Sequence, residues 1–306
     1  MAAFDYSDVK AFLHDTDFIH LLGADRTYAA LLEQLSGDDF LSIDRSMKVP
    51  FFAEVRDYVG AAERSDPGAH WIVKRIGDED VLAASMGAVC FFLDFFTHTI
   101  SAPTVVTRID GELYKATRII THAEQLTGAN YTDIRQLKEQ LVLDLVNRWI
   151  YGDEDRNPNN YMIRYNSRND QVIIAIDFSN VDLLHPGTKI TGTAKAFGWE
   201  RMEKTRYLTP LKVEHFRGYD MVFFDQRFSG FRKVGKKMLQ ELCKTCLRFH
   251  PERVKLSRAV ADNLLTRIDY VHEYFRGKFP ATSAAEKDDK YTDMGKTFTR
   301  IYKEKR

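Results

Sequence analysis

The spacing of hydrophobic positions divides the first third of the chain into two kinds of segment. Apolar residues recur near every 3.6 positions over 6–14 and 26–35, which predicts two helices in an N-terminal extension covering residues 1–46. From residue 47 the pattern changes to short runs rich in β-branched and aromatic residues, at 48–59 and 70–76. A turn-rich stretch separates these runs, so they predict a pair of strands.

The middle of the chain predicts helices alternating with hairpins. Residues 80–96 are apolar and rich in helix formers, and two strand-like runs at 104–109 and 112–120 follow, joined by an Asp-Gly turn. A helix with one apolar face is predicted over 133–151, and a second hairpin over 161–178.

Helical patterns dominate after residue 197. They are clearest at 231–249 and 252–275, and the last 25 or so residues are polar enough for a loosely packed tail. The chain thus combines predicted strands and helices, and we expect an α+β fold.

Composition indicates a globular protein and disfavours some partners. The chain has 306 residues, of which 44% are hydrophobic, and its 44 basic side chains balance its 44 acidic ones. A neutral balance lacks the basic footprint of nucleic-acid binding, so we expect no nucleic-acid partner. No apolar run approaches the length of a transmembrane helix. Three cysteines without a secretory signal favour a reducing compartment, which predicts a cytoplasmic protein.

The stretch 149–179 carries the candidate chemistry. Asp155 and Asn160 lie in a polar loop after the predicted helix, and Asp177 ends a strand rich in isoleucine. Phosphoryl transfer needs a carboxylate to orient the attacking hydroxyl and oxygen ligands for a metal ion near the phosphates. Asp155 is the candidate base, and Asn160 and Asp177 are the candidate magnesium ligands. A buried carboxylate at the end of a strand is costly unless a cation or a donor meets it.

These residues resemble the motifs of atypical kinases related to protein kinases. The sequence DRNPNN at 155–160 is similar to the DRxxxN catalytic loop, and AIDFS at 175–179 is similar to the IDxx metal motif, of HipA-like bacterial kinases and phosphoinositide kinases. The resemblance implies the same roles for Asp155, Asn160 and Asp177, with ATP and Mg²⁺ as cofactors. It also implies that Arg156 and Asn157 shape the catalytic loop.

The resemblance extends upstream to the nucleotide. Lys74, in the run at 70–76, is expected to hold the α- and β-phosphates. Ile119, Ile120 and His122 would contact adenine through their backbone in a hinge. The glycine-rich loop of such kinases is reduced to a turn with Gly68, and the helix over 80–96 has no glutamate at a mid-helix position.

The resemblance implies a two-lobed fold, with a mixed N-lobe at 47–122 and a mainly helical C-lobe at 123–306. The expected activity is that of a HipA-like kinase acting on Ser or Thr of a protein substrate. Four alternatives remain open: a lipid kinase, a small-molecule kinase, an AMP-transferring enzyme and a pseudokinase that only binds nucleotide.

Several of these residues also have plain structural interpretations. The loop at 155–160 has the composition of an ordinary turn, and a lysine such as Lys74 can reach solvent from an edge strand. Cys243 and Cys246 have CxxC spacing, but they lie in a helical run without further ligands and are expected to pack in the core. The basic run at 232–238 is typical of a solvated helix face.

Overall fold

A computed structural model describes residues 37–97, 99, 101–127, 134–153, 155, 158–165, 171–185 and 218–279. The predicted helices at 6–14 and 26–35, the residues after 197 up to 217, and the polar tail lie outside these ranges. The elements of the described chain, in order, are β1 (Leu41–Ile43), α1 (Phe51–Glu54), β2 (Val59–Glu63), β3 (His70–Arg75), α2 (Val81–Phe96), β4 (Thr104–Ile109), β5 (Glu112–Arg118), β6 (Ala123–Gln125), α3 (Ile134–Tyr151), β7 (Tyr161–Tyr165), β8 (Gln171–Ala175), α4 (Met221–Lys233), α5 (Lys236–Cys246) and α6 (Arg253–Lys278).

Two antiparallel sheets contain all of these strands. The larger has five strands in the order β1-β2-β3-β5-β4, and the smaller has three in the order β6-β7-β8. The predicted hairpin of β4 and β5 is confirmed. Its turn residues Asp110 and Gly111 both have positive φ, of 51° and 88°, as a tight two-residue hairpin requires.

The helices pack around both sheets. Helix α2 contacts β4 and also contacts α4 and α5, while α3 contacts β8, α4 and α6. Helix α2 is buried along most of its length, which explains why its sequence is apolar on nearly every side. It begins one residue after the predicted start, and α3 likewise follows its prediction closely.

Two element predictions were wrong. Residues 48–59 do not form one strand, because the chain forms the short helix α1 there and the strand runs instead over β2. The carbonyl of Pro50 accepts hydrogen bonds from the amides of Ala53 and Glu54 at 2.8 and 3.1 Å, and proline is well suited to a helix start. The helix predicted at 231–249 is divided by Val234 and the extended Gly235 into α4 and α5. Residues 219–231 are rich in aromatic side chains, and most of them belong to α4, whose first turn is capped by the Asp220 side chain.

A buried polar network joins α2 to α3. Arg148 lies between two carboxylates, with its Nη2 atom 2.8 Å from Asp94 and 2.7 Å from Asp144. Asn147 and Tyr151 also donate to Asp94, at 3.0 and 2.8 Å. Burial alone would lower the pKa of Arg148, but the charges of Asp144 and Asp94 outweigh it and hold that pKa well above the usual value. Because α3 ends immediately before the candidate catalytic loop, this network fixes where that loop begins.

Candidate active site

The loop that follows α3 is held by hydrogen bonds of Asp153. The amide of Asp153 donates to the carbonyl of Arg148 at 2.9 Å, and the Asp153 carboxylate accepts the amide of Asp155 at 3.2 Å. Gly152 has a φ of 68°, which lets the chain leave the helix at this point. Asp155 therefore sits at a defined position in the turn, with its side chain partly exposed.

Asn160 is buried at the far end of this loop. Only 8% of the residue is exposed, and its side-chain Nδ2 donates to the carbonyl oxygen of Asp155 at 2.7 Å. Because the nitrogen of the amide is engaged there, the Oδ1 atom is turned away from that carbonyl. A side-chain oxygen presented in this way is suited to a hard cation such as magnesium.

Asp177 follows β8 and connects to the same loop. The amide of Ile176 donates to the carbonyl of Asn160 at 2.9 Å, which fixes the strand end beside the loop. Asp177 has a φ of 57°, a conformation that costs energy in a residue other than glycine and is tolerated best by Asp and Asn. Its Oδ1 atom accepts hydrogen bonds from both the amide and the hydroxyl of Ser179.

A further hydrogen bond connects the segment after β8 to the loop of Asp155. The side chain of Asn180 donates to Oδ2 of Asp155 at 3.0 Å, so the segment after β8 contacts both the candidate base and the candidate metal ligand. These hydrogen bonds connect Asp155, Asn160 and Asp177 through two loops. Arg156 and Asn157, which were predicted to shape this loop, lie outside the described residues.

Two cations approach Asp177. The Nζ atom of Lys115 lies 4.0 Å from Asp177 Oδ1 and 3.2 Å from the hydroxyl of Ser179. The guanidinium of Arg56 lies 3.5 Å from Asp177 Oδ2. Burial lowers the pKa of Lys115, and the charge of Asp177 partly offsets that effect. Lys115 is therefore a desolvated amine directed at the carboxylate expected to hold the metal ion.

Lys74, the predicted nucleotide lysine, occupies a neighbouring position. In the antiparallel pair of β3 and β5 it lies directly opposite Lys115, so both side chains are on the same face of the sheet. Ile72 and Thr117 form the next pair on this face and line the cleft, whereas Lys74 does not. Burial and the charge of Asp177 raise the pKa of Tyr58, which lines the cleft, and the charge of Lys74 opposes this rise. The charge of Lys74 therefore still acts on the cleft.

A cleft that encloses about 740 Å³ of empty space, part of it open to solvent, leads to these charged groups. Its exposed lining surface is mainly apolar, and three of its charged residues, Arg56, Lys115 and Asp177, lie next to one another. The lining residues are Pro50, Arg56, Tyr58, Ile72, Thr104, Lys115, Thr117, Arg118, Ile119, Ile120, Met162, Ile176, Asp177 and Phe178. Such a cleft can bind a ligand that has both an apolar part and a negatively charged part.

The predicted adenine contacts divide into two groups. Ile119 and Ile120 line the cleft, and the amide of Ile119 already donates to the carbonyl of His70 at 3.0 Å. His122 does not line the cleft and has a φ of 53°. Gly68 also lies away from the cleft, in the turn between β2 and β3, where its amide donates to the Asp66 side chain at 3.0 Å.

Comparisons with known proteins bear on the fold. No family model matches the chain, and no curated protein matches it. Among solved structures, the chain is similar to CtkA, a proinflammatory kinase from Helicobacter pylori, with a TM-score of 0.50 and 10% sequence identity. The match covers 78% of this chain and 98% of that kinase. The fold is kinase-like. At this level of identity the likeness concerns the fold, and a kinase-like fold places no limit on the acceptor.

Within this kinase-like fold, sequence reasoning did not identify three residues of the site. Lys115 lies in a strand whose sequence mixes polar and apolar residues on both faces, so its burial was not visible. Arg56 lies in a segment interpreted as a strand. Asn180 is three residues after Asp177 and had no motif of its own. The alternation that puts Lys115, Thr117 and Ile119 at every second position was the one available indication.

The donor set fits magnesium better than a transition metal. Asn160 and Asp177 offer oxygen atoms, and Mg²⁺ commonly takes one or two such ligands together with water and substrate phosphates. Among the described residues, no group of three or more His, Cys, Asp or Glu is placed to hold a metal ion. Cys243 and Cys246 are buried in α5, in agreement with a packing role.

The described part of the chain contains no helix with the length and hydrophobicity needed to cross a bilayer.

Proposed function

We propose that the chain is an ATP- and Mg²⁺-dependent phosphotransferase, most simply a Ser/Thr protein kinase of HipA-like type. The observation that carries this proposal is the hydrogen-bonded junction of two loops that connects Asp155 and Asn160 to Asp177, the one of the three that lines the apolar cleft. The same three residues carry the motif resemblance, and the kinase-like fold gives independent support. In the two-lobed arrangement that this proposal implies, the five-stranded sheet with α1 and α2 forms one lobe, and the three-stranded sheet with α3 to α6 forms the other.

The residues divide the work of phosphoryl transfer among them. Adenine occupies the apolar part of the cleft beside Ile119 and Ile120, and Lys115 contacts the phosphates. Asp155 orients the acceptor hydroxyl and takes its proton as the oxygen bonds to the γ-phosphorus and the bond to ADP breaks. Magnesium held by Asn160 and Asp177 would offset the negative charge of the phosphates.

The geometry around Asp155 agrees with the role of a base. Asn180 donates to one carboxylate oxygen at 3.0 Å, so this oxygen is fixed while the other oxygen faces a different direction. The backbone of Asp155 is held by the Asp153 carboxylate and by the Asn160 side chain. A carboxylate that cannot rotate freely keeps the acceptor hydroxyl in one orientation, which is the main contribution proteins make to this reaction.

The test is transfer from labelled ATP in the presence of magnesium. ATP labelled at the γ-phosphate and ATP labelled at the α-phosphate are incubated separately with the protein alone and with protein acceptors. The isosteric variants Asp155→Asn and Asp177→Asn are compared with Asp262→Asn, which changes an exposed carboxylate that pairs with Lys236 and does not line the cleft. We expect γ-label on protein, with a loss of about 100-fold or more in the first two variants and none in the third.

Each other outcome has a definite meaning. Label from the α-phosphate would replace phosphate transfer with AMP transfer. Nucleotide binding without transfer to protein would point to a lipid or small-molecule acceptor if either takes label, and to a pseudokinase if neither does. A wild-type protein that binds no MgATP would refute the proposed function.

A further inference from the structure

The connection between β1 and β2 covers the charged end of the cleft, and it contains no glycine over residues 44–58. Pro50, Arg56 and Tyr58, all from this connection, line the cleft. The Gly68 turn, by contrast, lies between the next pair of strands and contributes no lining residue. The backbone amides that a flexible glycine loop would offer to phosphates are therefore replaced here by side chains.

Arg56 is the side chain in this connection best suited to bind phosphate. Its guanidinium lies 3.5 Å from the Asp177 carboxylate, and 63% of its side chain is exposed. A guanidinium presents several parallel N–H groups that match the oxygens of a phosphate. Since Asp177 is the proposed metal ligand, a group within reach of Asp177 is also within reach of phosphates that share the metal ion.

The backbone around Arg56 holds it at this place. The amides of Arg56 and Tyr58 both donate to the carbonyl of Ala53, at 3.1 and 3.0 Å. Between them, Asp57 has a φ of 62°, which reverses the chain immediately after Arg56. At the base of the connection, Gly60 is packed so closely that a Cβ atom would lie 2.7 Å from the carbonyl oxygen of Asp44. Gly60 is therefore required for close packing of the connection, and Arg56 projects from a fixed support.

The charges at this end of the cleft are arranged for an anion. Arg56 and Lys115 both approach the carboxylate of Asp177, so two cations face this one acidic group. Once a metal ion binds Asp177, the two cations lose most of their attraction to it and need another anionic partner. The contact of Arg56 with Asp177 is long and exposed, so giving it up costs little.

We propose that Arg56 binds the terminal phosphates of the nucleotide and takes the place of a glycine-rich phosphate loop. This inference rests on the proposed nucleotide-dependent phosphotransfer. Arg56 exchanges its contact with Asp177 for phosphate oxygens when the metal–nucleotide complex enters, while Lys115 holds the phosphates from the opposite wall. The connection between β1 and β2 thereby recognises the nucleotide phosphates through the guanidinium of Arg56.

The test measures binding of adenosine, ADP and ATP, each with magnesium, to the full-length protein by calorimetry. Arg56→Ala is compared with Arg75→Ala, which removes an equally exposed arginine that pairs with Glu112 at 2.7 Å outside the cleft. We expect Arg56→Ala to weaken ATP binding by about tenfold or more and to leave adenosine binding unchanged, since only ATP has the terminal phosphates. Arg75→Ala should bind all three ligands like the wild type.

The outcomes separate this inference from the proposed function. If the wild type binds ATP no better than adenosine, the phosphate site itself is absent and the proposed function fails. If the wild type prefers ATP but Arg56→Ala retains that preference, the function stands and the role of Arg56 is refuted. Equal loss for all three ligands would also refute it, because Arg56 would then act on the shape of the cleft. Thermal unfolding of the variant checks that the exposed substitution leaves the fold intact.

Discussion

At the scale of single residues, both Lys115 and Lys74 are candidates for the lysine that contacts the nucleotide phosphates. Both lie on the same face of β3 and β5, but only Lys115 lines the cleft and contacts the Asp177 and Ser179 side chains. We therefore expect Lys115→Met to lower the rate of phosphate transfer by at least about tenfold, since a charged hydrogen bond to phosphate is lost. Lys74→Met should have a smaller effect.

The measurement is the initial rate of transfer at saturating and at limiting ATP for both variants. A greater loss in Lys74→Met than in Lys115→Met would return the nucleotide contact to Lys74, the residue that the motif order predicted. Retained adenosine binding in both variants would show that the cleft is intact.

The pKa of Lys115 offers a second test at this scale. Burial disfavours the charged amine and lowers its pKa, and the Asp177 carboxylate offsets part of that shift. Competitive labelling with acetic anhydride over a range of pH should therefore find Lys115 titrating below the ordinary value of a lysine. Because the carboxylate favours the charged amine, Asp177→Asn should lower the pKa of Lys115 further. A Lys115 pKa that does not fall in this variant would show that the Asp177 carboxylate does not act on the amine.

The residues of the site differ in how well sequence could locate them. Asp155, Asn160 and Asp177 were predictable because motif spacing and a buried strand end both pointed to them. Lys115 was not, because its role depends on the registry between β3 and β5, and registry is a property of tertiary pairing. Arg56 was likewise hidden, since the position of its side chain depends on a short helix and a left-handed residue that follow no simple period.

At the scale of elements, α2 and α3 are fixed to one another by the network around Arg148. This side chain is fully buried between Asp94 and Asp144, and its guanidinium also lies 4.8 Å from the ring of Phe178, next to Asp177. Replacing Arg148 by Met would leave two buried carboxylates without their cation. We expect a loss of about 3–5 kcal/mol in the free energy of unfolding, measured by urea denaturation.

An exposed ion pair provides the matched control for this loss. Arg276 and Glu273 pair at 2.9 Å on the surface of α6, and Arg276→Met should change the free energy of unfolding by less than about 1 kcal/mol. A loss below about 1 kcal/mol in Arg148→Met as well would mean that the network contributes little net stability, and that its carboxylates are satisfied in other ways.

Helices and strands with a regular hydrophobic period were predictable from the sequence. Elements whose ends depend on a single proline or glycine were not. Helices α2 and α3 and the hairpin of β4 and β5 follow their patterns, because the apolar faces and the Asp-Gly turn determine them locally. The break between α4 and α5 was not visible, since one glycine in a helical run can be tolerated or can end it. The run at 48–59 is rich in β-branched and aromatic residues, as strands are, yet Pro50 starts a helix within it.

At the scale of the whole molecule, the reactivity of the three cysteines can show whether α2 and α5 unfold together. Cys90 lies in α2 and Cys243 and Cys246 lie in α5, two helices that pack against each other. Burial raises the pKa of all three thiols, and a thiol must ionise to react with a disulfide reagent. The native protein should therefore react slowly at all three positions, although each thiol is free.

Unfolding should expose the three thiols together. Because α2 contacts the five-stranded sheet through β4 and also contacts α4 and α5, opening either side removes packing from the other. In a guanidinium titration, pulse labelling of the thiols with mass mapping of each cysteine should give three coincident transitions, matching the change in tryptophan fluorescence. If Cys243 and Cys246 become reactive at lower denaturant than Cys90, the C-terminal helices open as a separate unit and the contact of α2 with α5 does not couple them.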